Sequence, residues 1–355
     1  MSEISALVEI SKYAGERFDL VQAGGGNSSV KYDNGEMIIK ASGFLLSDVN
    51  KESGFSTVYT KKIAHIVKNK IIINELDKRK RESLTSQLVK ADTIDKANRP
   101  SIETLLHSFL YKYTLHTHPI VVNMLVIRQD WREILKSIFI NEAVLLVNYQ
   151  TPGIELALEL DSELSKFDTI PNIIFLQNHG LIITSQSKSE IQTKTEYVIE
   201  KIEKYLNVDM NRYKTTNTIT NLLNTIQKNN NISYLSEDSY LNEQLLHYKE
   251  LFLTTPFCPD SLVYCGISSA VIDDAADIKP IEQYKKKYYE LPKVIIVKNN
   301  LYFIAANVKK AKEMEEVFKF HIMVLVQNSK EINYLELDEL AYLSNWEAEQ
   351  YRKNI

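Results

Sequence analysis

Three histidines and one glutamate are the residues of this sequence whose types and spacing could do chemistry. His116 and His118 stand two apart in Tyr-Thr-Leu-His-Thr-His-Pro, and His179 follows much later in Gln-Asn-His-Gly. In a strand, residues i and i+2 point to one face, so His116 and His118 can offer two imidazoles to one ion. A catalytic zinc takes three protein ligands and keeps a further position open, and His179 supplies the third donor. Gly180 behind it would let the strand turn and bring that ring inward. Taken alone, a His-x-His pair is equally a surface or core pair. Glu103 precedes the pair at the start of a helical stretch, and a carboxylate beside a metal can carry a proton. The plainer alternative is a helix-starting glutamate favoured by the macrodipole.

A glycine loop is the next feature. Gly24-Gly25-Gly26-Asn27-Ser28-Ser29 exposes backbone N–H groups and adds side-chain donors, a combination able to cradle a phosphate. It is neither a Walker loop nor a dinucleotide fingerprint, and it can also be a simple turn. The elements around these residues follow from periodicity. Residues 3–18 have helical spacing and feed the glycine loop. Ser28–Tyr32 and Met37–Ala41 flank Asp33-Asn34-Gly35, a hairpin signal. Leu76–Lys96 reads as a solvated helix or loop. Ser101–Lys112 reads as a helix and Tyr113–His118 as a strand ending at Pro119. Asn172–Thr184 reads as two strands broken at Asn178-His179-Gly180, and Lys188–Leu206 as a long helix.

In this order, GGGNSS, Ser42-Gly43, RPSIETLLH (Arg99–His107), HTHP (His116–Pro119) and QNHGL (Gln177–Leu181) resemble the class II aldolase/adducin family, which includes fuculose- and rhamnulose-phosphate aldolases. The resemblance covers roughly residues 1–210. It implies an α/β fold, an α/β/α sandwich with a mainly antiparallel central sheet, and a homo-oligomer, usually a tetramer. It also implies zinc, or another divalent cation such as manganese or cobalt, on His116, His118 and His179. Glu103 matches the catalytic glutamate, and Gly26, Asn27, Ser42, Gly43 and Ser101 match phosphate-binding positions. Ile102 stands where the fuculose-phosphate enzymes have a serine. The family's reaction, so implied, is the making or breaking of a carbon–carbon bond in a ketose or ketose phosphate through a metal-stabilised enediolate. Epimerases and decarboxylases share the metal site, and adducin-like modules keep the fold without catalysis. A second acid, a tyrosine in the family, matches no motif among the 20 tyrosines.

The chain has 355 residues, 44% of them hydrophobic and 25% charged, which suits a globular protein of two domains. The expected division is a metal-binding catalytic domain at 1–213, an Asn/Thr-rich linker around a short helix at 214–235, and a smaller α+β C-terminal domain at 236–355. In the last of these, Tyr240–Leu253 reads as a helix, Val294–Val297 and Leu301–Ala305 as a hairpin, and Lys309–Val326 and Leu335–Tyr351 as amphipathic helices. Trp346 and Tyr351 read as helix packing. A net charge of −4 gives no general attraction to nucleic acid or anionic lipid, and the family resemblance implies a small sugar or sugar phosphate as the partner. Cys258 and Cys265 match neither a disulfide framework nor a zinc pair. The charges Glu3, Glu9, Lys12 and Glu16 argue against a signal peptide, and no window supplies the ~20 apolar residues of a membrane span. A cytoplasmic enzyme is the expectation.

Overall fold

The structure, a computed structural model, describes residues 2–95, 97–227, 231–328 and 330–344. The chain divides into two compact units, Met1–Met210 and Asn211–Ile355.

The first unit is built on seven strands: β1 (Asn27–Lys31), β2 (Glu36–Lys40), β3 (Phe55–Tyr59), β4 (Tyr113–Thr117), β5 (Val144–Val147), β6 (Ile173–Leu176) and β7 (Gly180–Ser185). Their order is β3-β2-β1-β4-β7-β6-β5, antiparallel throughout except for the parallel pair β5 and β6. The hairpin turns at Gly35, whose φ of +90° only glycine adopts freely, and Glu36 N–H donates to Asn34 Oδ1 at 3.0 Å.

Alternation along the strands sends neighbours to opposite faces, and both faces are apolar. Ile38, Leu146, Ile173, Phe175, Leu181 and Ile183 join one buried cluster with the helices Glu3–Gly15, Ile120–Val126, Trp131–Ile138 and Lys188–Leu206. Met37, Ile39, Leu145, Val147, Ile174, Leu176 and Ile182 join the other, with the helices Thr60–His65, Thr104–Ser108 and Ile154–Leu164. A sheet apolar on both faces must be covered on both, which gives the expected α/β/α sandwich. The stretch read as a helix over Ser101–Lys112 keeps only Thr104–Ser108 helical, because Tyr111 N–H turns away to Thr184 Oγ1 at 2.9 Å and β4 begins.

The second unit carries a smaller sheet of β8 (Ile232–Leu235), β9 (Ala270–Ile272), β10 (Val294–Val297) and β11 (Asn300–Ala305), ordered β8-β11-β10-β9. Of the segment read as a linker, the described residues on either side of 228–230 are mostly in regular structure. Asn211–Ile226 is a helix that buries Tyr213, Thr216, Ile219 and Leu223, a one-face spacing, and β8 pairs with β11. Asn and Thr are weak helix formers, but packing of an apolar face outweighs propensity. Of the predicted last helix, Leu337–Ser344 is described; Trp346 and Tyr351 lie outside the described residues.

One buried residue of this unit sets a pH response. His321 stacks on Phe257 at 5.0 Å between ring centres, its Nδ1 lies 3.2 Å from Ser261 Oγ, and burial lowers its pKa to about 4. In the unfolded chain a histidine titrates near about 6.5, so below that pH the unfolded state takes a proton the folded state refuses. This contribution to stability is therefore complete above about pH 6.5 and is lost as the pH falls towards 4. His321→Gln is expected to flatten that fall in a series of urea midpoints, and an unaltered slope would remove His321 as its source.

Candidate metal centre

His116 lies on β4, in register with Asn27 of β1 and Ile182 of β7, and is fully buried. His118 follows one residue past the strand end, held by its N–H to Leu20 O at 2.9 Å. Both rings leave the same face, as alternation requires. His179 sits in the turn between β6 and β7, after Asn178 in the left-handed region at φ +52°. Gly180 matters here for space, not for an unusual φ. A Cβ on it would lie 2.3 Å from Thr117 O and 3.2 Å from the His118 ring, so only glycine lets this turn close against β4.

The three imidazoles converge. His116 Nε2 is 3.0 Å from His118 Nε2 and 3.3 Å from His179 Nε2, and one ligating atom from each lies within 4.8 Å of the others. Nitrogens about 2.1 Å from one ion at tetrahedral angles stand about 3.4 Å apart, so the spacing suits a single cation. His116 Nδ1 is 3.1 Å from Leu181 O; a carbonyl only accepts, so Nδ1 carries the proton and Nε2 presents a bare lone pair. Burial, then His179 and His118, holds His116 well below the usual histidine pKa, and burial, then His179 and Lys40, lowers His118 to about 4. Near neutral pH these two rings are uncharged donors, the form that ligates a metal.

Glu103 completes the constellation. It is buried, with Oε1 3.2 Å from His179 Nε2 and Oε2 3.5 Å from His116 Nε2. Asn27 Nδ2 donates to Oε2 at 2.6 Å, while Oε1 has no hydrogen-bond donor among the described residues. Burial raises the carboxyl pKa, opposed by His179, the Asn27 hydrogen bond and Lys40. An orphaned carboxylate oxygen beside clustered lone pairs is a poor arrangement by itself and a good one around a divalent cation, so the residues fit the metal that the family implies.

Among the phosphate candidates, Asn27 and Ser101 join this cluster. Ser101 Oγ accepts from Asn27 Nδ2 and from Glu103 N–H, both at 3.3 Å, so these side chains position the glutamate. Gly26 turns the chain into β1 at φ +68°, and a Cβ there would meet His116 O at 2.7 Å. Gly26→Ala is expected to cost at least about 1–3 kcal/mol, read as a lower urea midpoint of the metal-free protein. An unchanged midpoint would show that the loop relaxes freely. Ser42 and Gly43 are exposed and run beside the Ser101 segment, with Ser42 N–H donating to Arg99 O at 2.8 Å. A cavity of about 400 Å³ adjoins Ser101 and Ile102, although none of the three histidines lines it. His107, four residues beyond Glu103, is fully buried and bonds Ser29 Oγ through Nδ1 at 2.7 Å. Lys40, to which the sequence analysis gave no role, is buried and acts electrostatically on Glu103 and His118. Its signal is a lone charge in the apolar strand Met37-Ile38-Ile39-Lys40-Ala41, directly before Ser42-Gly43.

Comparison with known proteins agrees with the fold. The sequence pattern of the class II aldolase and adducin N-terminal domain matches residues 5–206, more than half of the chain. YuxG of Bacillus subtilis, described as an uncharacterized oxidoreductase, is 27% identical over 220 residues, 59% of this chain and 30% of that protein. The chain therefore spans less than a third of that relative's length. The N-terminal class II aldolase domain of a conserved Thermoplasma acidophilum protein is 25% identical, with a TM-score of 0.50, over 58% of this chain and 94% of that one. An L-fuculose 1-phosphate aldolase is 16% identical, with a TM-score of 0.41, over 57% and 84%. Among the described residues no helix is long and apolar enough to cross a membrane. By the match over residues 5–206, this chain belongs to the class II aldolase and adducin N-terminal domain family.

Proposed function

We propose that the first unit is a metal-dependent carbon–carbon lyase, an aldolase acting on a ketose or ketose phosphate, with a zinc ion held by His116, His118 and His179. The single observation that carries this reading is the convergence of three Nε2 atoms beside a buried carboxylate with one oxygen unpaired. The membership supports it at a coarser level, since the superfamily holds aldolases, epimerases and decarboxylases. When bound, the cation supplies Lewis-acid chemistry that stabilises negative charge on substrate oxygens as the neighbouring carbon–carbon bond breaks.

The protein residues do the rest. Leu181 O fixes the His116 tautomer. Asn27 holds Glu103 Oε2, which leaves Oε1 aimed at the histidines as the atom that takes up or returns the proton at the reacting carbon. Burial of Glu103 excludes water and raises the carboxyl pKa, so the proton is held more readily than by an exposed glutamate. Ser101 anchors the turn into the Thr104–Ser108 helix through the Glu103 N–H and so limits how far the carboxylate swings.

The experiment is product analysis of the zinc-loaded protein on a panel of ketoses, ketose phosphates and keto-acid phosphates. Release of an aldehyde and a smaller ketone supports the aldolase reading. An epimerase releases no aldehyde and a decarboxylase releases carbon dioxide, and either outcome replaces it. Absence of turnover together with absence of bound metal would favour a non-catalytic adducin-like module.

A further inference from the structure

A buried ion pair precedes the glycine loop and takes no part in the chemistry above. Arg17 and Asp19 are 1% and 2% exposed. Arg17 Nε donates to Asp19 Oδ1 at 3.0 Å and Nη2 to Asp19 Oδ2 at 2.5 Å, while Nη1 donates to Glu196 on the helix Lys188–Leu206. Glu196 Oε1 also accepts from Tyr13 OH, on the helix Glu3–Gly15, at 2.6 Å. The Arg17 carbonyl in turn accepts from Leu20 N–H at 3.0 Å and from Val21 N–H at 3.1 Å. Side chain and backbone together close residues 17–21 into one turn tied to both helices.

This turn holds His118. Strand pairing with β1 ends at His116 and pairing with β7 at Thr117, so His118 lies beyond both ladders. Leu20 O accepts from His118 N–H and Asp19 O from Ile120 N–H, both at 2.9 Å. The His118 ring lies against two glycines, since a Cβ on Gly25 would stand 2.9 Å from Nδ1 and one on Gly180 3.2 Å from Cδ2. His116 has Leu181 O beside Nδ1 to orient its ring, whereas among the described residues nothing hydrogen-bonds His118 Nδ1. The direction of His118 Nε2 is therefore set by where its backbone is put. A buried ion pair is a weak source of stability, because apolar side chains of similar volume often replace it without loss. What such side chains do not supply is geometry: the planar guanidinium fork fixes the Asp19 carboxylate in both distance and angle.

We propose that Arg17 and Asp19 are positioning residues for the metal ligand His118. Their pairing sets the turn whose carbonyls place the His118 backbone, and with it the approach of Nε2 to the cation. This assignment rests on the three histidines being a metal centre, but not on which reaction is run there.

The test reads metal binding and requires no turnover. Zinc affinity is measured by competition with a chromophoric chelator for wild type, Asp19→Asn, Arg17→Lys and the double variant Arg17→Met with Asp19→Leu. The visible spectrum of the cobalt(II)-loaded protein and the melting temperature of the metal-free protein are recorded for each. Asp19→Asn leaves a buried guanidinium short of its counter-charge and is the variant at risk of not folding. The double variant removes both charges and keeps the burial, and Glu196, a quarter exposed, retains Tyr13 OH, so it carries the test in that case. It is expected to melt near wild type, to bind zinc about 10- to 100-fold more weakly, and to show shifted cobalt bands. Arg17→Lys keeps the charge without the fork and should lie between the two. A pair that only stabilises the layer predicts altered melting temperatures with the zinc affinity and cobalt spectrum of wild type, and that result would overturn the proposal. A wild type that binds no zinc would sink the metal centre itself and this role with it, whereas equal affinity across variants of a zinc-binding wild type sinks this role alone.

Discussion

His118→Ala is expected to lose bound metal and turnover together. His118 supplies one of two nitrogens that crowd within hydrogen-bonding distance of His116 Nε2, and the spacing of 3.0 Å between them has no other physical use if both present lone pairs. Substitution of residues that merely orient a metal ligand costs 10- to 100-fold in affinity, so removing a ligand itself should weaken zinc binding by more than about 100-fold. The metal-free fold should survive, because the His118 ring is only partly buried and alanine relieves a crowded polar cluster. The check is metal analysis after gel filtration, with circular dichroism to confirm folding. Full zinc occupancy and wild-type rates in this variant would remove His118 from the centre.

Glu103→Gln should give the opposite separation, with metal retained and turnover lost. Glutamine keeps the size of the side chain and an oxygen for the Asn27 N–H, now 2.6 Å from Glu103 Oε2, so the packing and the position of the group are preserved. What disappears is the capacity to accept and return a proton. General acid–base groups contribute about 10²- to 10⁴-fold, and kcat is expected to fall by that amount with KM little changed. Metal loss in this variant would instead make Glu103 an obligatory ligand, and an unaltered kcat would end its role as proton carrier.

Which parts of this site were legible in the sequence follows from the range of the physics involved. The pairing of His116 with His118 rests on strand alternation, a local rule, and the third histidine announces itself through the glycine that follows it. Even so, the reason for Gly180 is a non-local one, the close approach of the turn to Thr117 O, which no local pattern encodes. Asn27 and Ser101 were picked out only as matches to the family's phosphate-binding positions, and their contacts with each other and with Glu103 come from the fold. Lys40 was overlooked for the same reason. A lysine at a strand end is ordinarily solvated, but this one is buried and donates to Gly24 O. In the second unit, counting Asn and Thr hid the apolar positions Tyr213, Ile219 and Leu223, whose spacing makes the short helix expected in the linker a longer, packed one. The short strands β3, β5 and β9 carry no turn motif of their own and take their place only through pairing with distant partners.

The central claim is that His116, His118 and His179 hold one divalent ion. X-ray absorption of the zinc-loaded protein tests it most directly: about one ion per chain is expected, with three imidazole nitrogens at about 2.0–2.1 Å and the remaining coordination from oxygen. Less than about a tenth of an equivalent bound from a zinc buffer that saturates such a site, or a spectrum dominated by sulfur or lacking imidazole scattering, would contradict it.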